Sequence, residues 1–320
     1  MARVVILPTP AHYYQLDFWL DNFCKNCIDE VDRLVVVINS NTKKHLLNKL
    51  IRKHDNEKIQ YKIFEKLIDH GNAIDEGLNE ADENDEICLL EDDLFITRKG
   101  ELLKNFDLLK RFDVVASPRG SCCDEITQRS IRKYKLKQKK EGDIGVNFWP
   151  CMLFSKAKYL LETDRNFKAK MWCKGEVLKE LELVLKEDCY GDTFVNTSIQ
   201  LRAKGLRFFE IPQYHLNNMD ADNYSRKKYA FSKKAGYFHV GSLSGGVEGL
   251  IAGSCTWNTE QERKELARRY YFFKLFYSAS HNQSLRGLQD LQTCKQNLKI
   301  SDQAEFTNLR MYKKLLKLYD

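Results

Sequence analysis

Proline and glycine are scarce in this chain of 320 residues, and its 5 Pro and 16 Gly exclude a collagen-like, linker-dominated or low-complexity polypeptide. Long hydrophobic runs are missing as well. The longest apolar stretches, around residues 34–38 and 249–255, fall far short of the ~20 residues that a membrane-crossing helix needs, so no transmembrane segment is expected. The opening Met1-Ala2-Arg3-Val4-Val5-Ile6-Leu7-Pro8 is too short in its apolar part for a secretory signal and reads as a first strand stopped by proline. A cytoplasmic protein is the expectation. A strong excess of one charge is also absent: 52 Lys and Arg against 45 Asp and Glu leave +7, which suits a polyanionic partner or a small anionic substrate and demands neither. Paired cysteine motifs are lacking too, since Cys24-Lys25-Asn26-Cys27 has no second CxxC to complete a zinc site. A chain this long does not need disulfide staples to hold a core. Its ten cysteines are therefore expected as reduced thiols, with Cys122-Cys123 in a polar loop.

What is present is an α/β pattern with 43% hydrophobic residues, enough for a large core. Short β-branched runs at residues 3–7, 33–38, 59–64, 86–90 and 113–116 predict strands. Between them, residues 13–29, 43–53, 73–80 and 99–110 repeat apolar positions every three or four residues and predict helices. Alternation of this kind implies a parallel sheet covered by helices. Residues 117–147 break the pattern with the basic run Arg129 to Lys140, seven Lys or Arg in twelve residues, read as an inserted loop or exposed helix. The α/β order then resumes. It gives a strand at 148–154, a helix at 155–161, an amphipathic stretch at 175–186, a helix at 193–203 capped by Gly205, and a strand at 206–211 stopped by Pro212. From residue 258 the text turns helical, at 261–278, 285–298 and 307–318. A boundary near Gly245-Gly246 therefore separates a domain of residues 1–245 from a helical C-terminal subdomain of 246–320.

The sharpest local feature is Ile87-Cys88-Leu89-Leu90-Glu91-Asp92-Asp93. Four apolar residues form a buried strand, and three carboxylates follow where that strand ends. Adjacent negative charges repel unless a cation is shared among them. Oxygen ligands suit Mg²⁺ or Mn²⁺, which completes its shell with phosphate oxygens and water, and ligands of open α/β sheets collect at the carboxyl ends of strands. A solvated acidic turn is the plainer alternative.

With His70-Gly71-Asn72-Ala73-Ile74-Asp75-Glu76-Gly77 upstream, the segment resembles nucleotide-sugar glycosyltransferases of the GT-A fold, in which a helix containing Asn and Gly precedes a hydrophobic strand ending in a DxD-type motif. The Glu-Asp-Asp form is similar to the animal N-acetylglucosaminyltransferase I type. Two further segments extend the resemblance over residues 1–245. Glu187-Asp188 and Gly191-Asp192, before a helix and Lys204-Gly205, are similar to the element whose carboxylate is commonly the catalytic base; Asp192 stands about two residues too far from the glycine, so Asp188 and Glu187 stay rivals. Gly236-Tyr237-Phe238-His239-Val240-Gly241-Ser242 resembles the element in which a His completes the metal shell and a small-residue loop touches the diphosphate. His215 competes with His239 for that role.

The resemblance implies a mixed, mostly parallel sheet flanked by helices and a metal-dependent hexosyl- or pentosyltransferase. In that role Asp93 and His239 ligate Mn²⁺ or Mg²⁺. Thr9, Asn39, Asn72, Glu91, Asp92 and Ser242 contact a nucleotide-diphosphate sugar, and Asp192, or Asp188, takes the acceptor proton in an inverting displacement. Acceptor contacts are expected from Phe148-Trp149-Pro150 and Trp172. The acceptor implied is a glycan or glycoconjugate. The basic run at 129–140 admits a nucleic acid or another polyanion instead, or is simply solvated. A nucleotidyltransferase is a rival activity, but residues 7–11 lack its Gly-rich basic phosphate loop. A non-catalytic nucleic-acid-binding protein is another rival, and it leaves the acidic cluster unexplained.

Overall fold

The computed structural model describes residues 1–10, 13–39, 44–96, 98–117, 122–136, 148–211 and 237–239. In chain order the strands and helices are β1 (Arg3–Thr9), α1 (Tyr13–Asn26), β2 (Arg33–Ile38), α2 (Lys44–Lys53), β3 (Ile59–Ile63), α3 (His70–Leu78) and β4 (Glu86–Leu90). Next come β5 (Leu94–Ile96), α4 (Glu101–Leu108), β6 (Val114–Ser117), α5 (Asp124–Tyr134), β7 (Trp149–Lys156) and α6 (Ala157–Leu161). They are followed by β8 (Lys170–Trp172), β9 (Val177–Leu178), β10 (Leu183–Val184), β11 (Cys189–Gly191), α7 (Val195–Ala203), β12 (Phe208–Glu210) and β13 (Tyr237–His239). The chain divides into two compact units, Met1–Glu91 with Lys99–Gln213, and Asp92–Arg98 with Tyr214–Asp320. The predicted C-terminal helices and the boundary at Gly245-Gly246 lie outside the described residues.

The first unit is built on a seven-stranded sheet in the order β12-β6-β7-β4-β1-β2-β3. β1 pairs in parallel with β2 and β4, β2 with β3, and β6 with β12, while β7 runs antiparallel between β4 and β6. This is a mixed, mostly parallel sheet flanked by helices. The central strands are buried on both faces, as their unbroken apolar sequences require: Val4 to Leu7, Leu34 to Ile38 and Ile87 to Leu90 are all fully buried. Alternate residues Val4, Ile6, Val35, Val37, Ile87 and Leu89 join Ala73, Ile74 and Leu78 of α3 in one core. Because β1, β2, β4 and β6 share one direction, their carboxyl ends deliver Thr9, Asn39, Glu91 and Ser117 to a single edge.

A satellite core lies under the 122–199 region, where Ile126, Trp172, Leu178, Leu181, Leu185, Cys189, Val195 and Ile199 pack together. The amphipathic residues 175–186 form the hairpin β9–β10 around a short 3-10 turn at Lys179–Leu181. Gly175 at φ 86° and Glu182 at φ 50° reverse the chain, and Leu185 N donates to Glu176 O at 3.0 Å to close the hairpin. The spacing of Leu178, Leu181 and Leu185 imitates a helical stripe, yet the turn delivers the same leucines to the satellite core. The expectation that all ten cysteines are reduced thiols is corrected. Cys123 and Cys189 form a disulfide, brought together because the start of α5 lies beside β11.

The basic run divides. Residues 124–134 are the helix α5, whose Arg129 Nε donates to Leu181 O at 2.7 Å and whose Lys133 Nζ lies 2.6 Å from Glu182 Oε1. Tyr134 OH donates to Glu180 O at 2.8 Å. Three of the run's side chains thus tie α5 to the hairpin, while Arg132 and Lys135 are exposed. Residues 137–140 lie outside the described residues.

Candidate active site

The edge where the parallel strands end gathers several predicted residues within the first unit. Thr9 closes β1, is fully buried, and accepts the amide of Asn39 through its carbonyl at 3.0 Å. Asn39, just past β2, is buried, and its Oδ1 has no hydrogen-bond partner among the described residues. Its carbonyl accepts Ile68 N at 3.0 Å, so its backbone is fixed while its side-chain acceptor stays open. An acceptor of this kind costs stability unless a donor reaches it.

α3 begins three residues earlier than periodicity predicts, because Asp69 caps it by accepting Gly71 N at 2.8 Å and satisfies one of the orphan amides of the first turn. The helix is held from the other side by Arg165, whose guanidinium reaches Asp75 Oδ1 at 2.6 Å and Asn79 Oδ1 at 2.5 Å. Its first turn carries His70 and Asn72. His70 Nε2 lies 4.0 Å from Glu91 Oε1 and is buried without a hydrogen-bond partner among the described residues. His70 is not among the site residues expected from the sequence. The signal available was its place immediately before the Gly71-Asn72 pair.

Asp188 and Asp192 differ in setting. Asp188 is exposed, and its Oδ1 accepts Lys174 N at 2.8 Å, so this carboxylate closes the β8–β11 connection. Asp192 is half-buried and follows β11 directly. Its Oδ1 accepts Thr193 N at 2.8 Å and its carbonyl accepts Val195 N at 3.1 Å. Phe194 then adopts φ 73° before α7 begins. A left-handed aromatic residue is uncommon, and such conformations concentrate at functional sites. Tyr190 shares a side-chain hydrogen bond with Asp192; burial first, then the Asp192 charge, raise its phenol above the usual range. Sequence reasoning missed Tyr190 too. Glu187 is exposed. Of the expected acceptor residues, Phe148 and Trp172 are fully buried and serve packing. Phe148 stacks on Phe208 at 4.8 Å.

In the second unit, Asp92 and Asp93 are 2% and 1% exposed and precede β5. β5 pairs antiparallel with β13, setting His239 opposite Leu94, Phe238 opposite Phe95 and Tyr237 opposite Ile96. His239 thus pairs with the residue that follows Asp93, although the two segments lie far apart in sequence. Ser242 and His215 lie outside the described residues.

Among the described residues, two clusters offer metal-ligand atoms within 4.8 Å of one another: Cys122, Cys123 and Cys189, and Asp17, Asp21 and His54. In the second cluster Lys53 Nζ already sits 2.7 Å from Asp17 and 2.9 Å from Asp21, so an ammonium fills the position a cation would take. In the first, burial pushes the Cys122 thiol up to about 12. Among the described residues no helix is long and apolar enough to cross a membrane.

No family model matches the chain, and no curated protein matches it. Among solved structures it is similar to mannosyltransferase PcManGT from Pyrobaculum calidifontis in complex with GDP-Man and Mn²⁺, at 13% identity and TM-score 0.45, over 99% of this chain and 85% of that one. S. aureus TarS 1-349 in complex with UDP-GlcNAc is similar at 14% identity and TM-score 0.40, over 100% and 89%. The 4-diphosphocytidyl-2C-methyl-D-erythritol synthase of Anaerococcus prevotii is similar at 14% identity and TM-score 0.33, over 49% and 71%. Likenesses of this size carry no functional weight, and the fold rests on the sheet described above.

Proposed function

We propose that the chain is a metal-dependent glycosyltransferase that moves a sugar from a nucleotide-diphosphate sugar to an acceptor hydroxyl with inversion at the anomeric carbon. The observation that supports this reading is the β5–β13 register, which pairs His239 with Leu94, the residue that follows the buried Asp92 and Asp93. Carboxylate oxygen with imidazole nitrogen is a donor set that suits Mn²⁺ or Mg²⁺, and two buried neighbouring carboxylates concentrate the negative charge that a dication offsets. Asp93 and His239 would hold the ion, with Asp92 orienting the shell. When bound, the ion would supply Lewis-acid stabilisation to the departing diphosphate.

The remaining roles fall to the chain's own groups. Asn39 Oδ1, buried and open, takes a hydrogen bond from the nucleoside, and Thr9 helps position it. Asn72, in the first turn of α3, and Ser242 bind donor oxygens. Glu91 contacts the donor and orients His70. Asp192 removes the proton from the acceptor hydroxyl as it attacks, and Asp188, whose carboxylate closes the β8–β11 connection, is the weaker claimant. A carbohydrate acceptor, free or on a glycoconjugate, fits this reading. A nucleic-acid acceptor loses some support because Arg129 and Lys133 are spent on the hairpin.

The test is a thermal-shift panel of nucleotide sugars with and without Mn²⁺, followed by NMR of the product. One donor should raise the melting temperature, and more so with the metal, because a ligand of the native state stabilises it by mass action. No shift with any donor overturns the reading. A retained anomeric configuration overturns Asp192 as the base.

A further inference from the structure

We propose that Cys122, Cys123 and Cys189 form a thiol–disulfide exchange site in which the Cys123–Cys189 link can be handed to Cys122. The three sulfur atoms all lie within 4.8 Å of one another. Cys123 and Cys189 are already joined, with Cα atoms 5.7 Å apart, inside the usual span of ~4.4–6.8 Å. Cys122 is a free, half-buried thiol alongside them. Its backbone forms an antiparallel bridge with Gly191, and Cys123 N donates to Tyr190 O at 3.2 Å. The 122–123 segment therefore lies against β11 and places a second sulfur there, whose thiolate forms once the segment opens to solvent, since burial pushes the thiol up to about 12.

The direction of exchange follows from chain geometry. Attack of the Cys122 thiolate on Cys123 would join adjacent residues, whose Cα atoms are ~3.8 Å apart across a trans peptide, below the span a disulfide accepts. Attack on Cys189 joins residues far apart in the chain, but the register sets Cys122 opposite Gly191, two residues from Cys189, so it needs the 122–123 segment to shift along β11. The Cys122 sulfur bonds to the Cys189 sulfur, the Cys123–Cys189 bond breaks, and Cys123 leaves as a thiolate. The proton lost by Cys122 passes to solvent and one is taken up by Cys123, so one S–S bond replaces another with no net oxidation. Successive side chains of an extended segment point to opposite sides. Handing the link from Cys123 to Cys122 therefore turns the 122–123 segment and breaks the Cys122–Gly191 bridge. Gly191 directly precedes Asp192, so the two linkages hold that carboxylate's strand in two different ways.

The experiment counts free thiols in the denatured full chain after purification with oxidised glutathione, a disulfide oxidant that closes any pair within reach and is itself reduced to two thiols. In Cys123→Ser, a link taken over by Cys122 leaves one free thiol fewer than wild type. If Cys122 cannot reach Cys189, the variant shows one more, a difference of two thiols per chain. The lower count is expected, and the higher count overturns the proposal. Tandem mass spectrometry of the alkylated wild-type protein gives a reading that needs no variant to fold. Fragments carrying a Cys122–Cys189 link beside the Cys123–Cys189 link support exchange, and their absence overturns it. A wild-type chain whose thiol count does not rise on reduction overturns it also.

Discussion

Replacing Gly71 by Ala sets two effects of known size against each other. An exposed Gly→Ala change inside a helix favours folding by ~1 kcal/mol through propensity and a less entropic unfolded chain. At Gly71, however, a Cβ would lie 2.6 Å from Phe167 C and 2.8 Å from Lys168 Cα, and closer still to Lys168 N. Carbon contacts want ~3.5 Å, so helix and segment must part by about 1 Å. Both obstacles are backbone and cannot rotate away. Phe167 is fully buried, its ring stacks on Phe194 at 5.5 Å, and its carbonyl accepts Phe194 N at 2.9 Å, so the 167–168 segment is pinned. Overpacking against a rigid wall costs ~1–3 kcal/mol or more, and the top of that range applies here. The net expectation is a loss of ~2 kcal/mol, read as a lower urea midpoint at unchanged m-value. His70 and Asn72 flank the substitution, so donor binding should weaken with it. A midpoint equal to or above wild type would refute the reasoning, since propensity would then have won.

Asp192→Asn should lower kcat by ~10²–10⁴, the usual worth of a general base, with donor KM little changed, whereas Asp188→Asn should chiefly loosen the β8–β11 connection; steady-state kinetics separates the two. Reducing the protein with excess dithiol should lower its stability by ~4 kcal/mol in the chain-entropy model, given the 66-residue separation of Cys123 and Cys189, and urea unfolding with and without reductant checks this. Asp17 supplies an acid-sensitive element. Burial alone would raise its carboxyl, but hydrogen bonds from His54 and Lys53 outweigh that and hold it below the usual range. A depressed carboxylate stabilises the fold above its unfolded value near ~3.9 and ceases to as pH falls through its folded value. Asp17→Asn should therefore flatten stability against pH below about 4, measured by thermal melts in acid, and an unchanged acid slope would contradict it.

The parallel half of the sheet was legible because its strands are buried on both faces and so appear as unbroken apolar runs bounded by turns, as in Leu34 to Ile38 and Ile87 to Leu90. The start of α3 was less so, since a cap such as Asp69 adds residues that carry no hydrophobic period. The amphipathic residues 175–186 were ambiguous for a definite reason. Leucines at three- and four-residue intervals serve a helix and a tight hairpin over a small core equally well, and the arbiter was backbone geometry at Gly175 and Glu182. The disulfide was invisible because the contact between Cys123 and Cys189 is made by tertiary packing, and length alone argued only that no staple was required.

The same distinction explains why the carboxylates of the candidate site separate only in three dimensions. In sequence, Asp188 and Asp192 are equivalent acids before a helix, four residues apart. What divides them is how each carboxylate is already used. Asp188 is exposed and closes a connection by accepting the Lys174 amide, so removing it frees a loop. Asp192 is half-buried, follows a strand fastened by the Cys122–Gly191 bridge and the Cys123–Cys189 link, and is succeeded by Phe194 in a left-handed turn. A general base must keep one orientation through the reaction to be worth its usual factor. Of the two, only Asp192 stands on backbone fixed from both sides, and that rigidity, rather than its charge or its spacing to Gly205, is the argument for it.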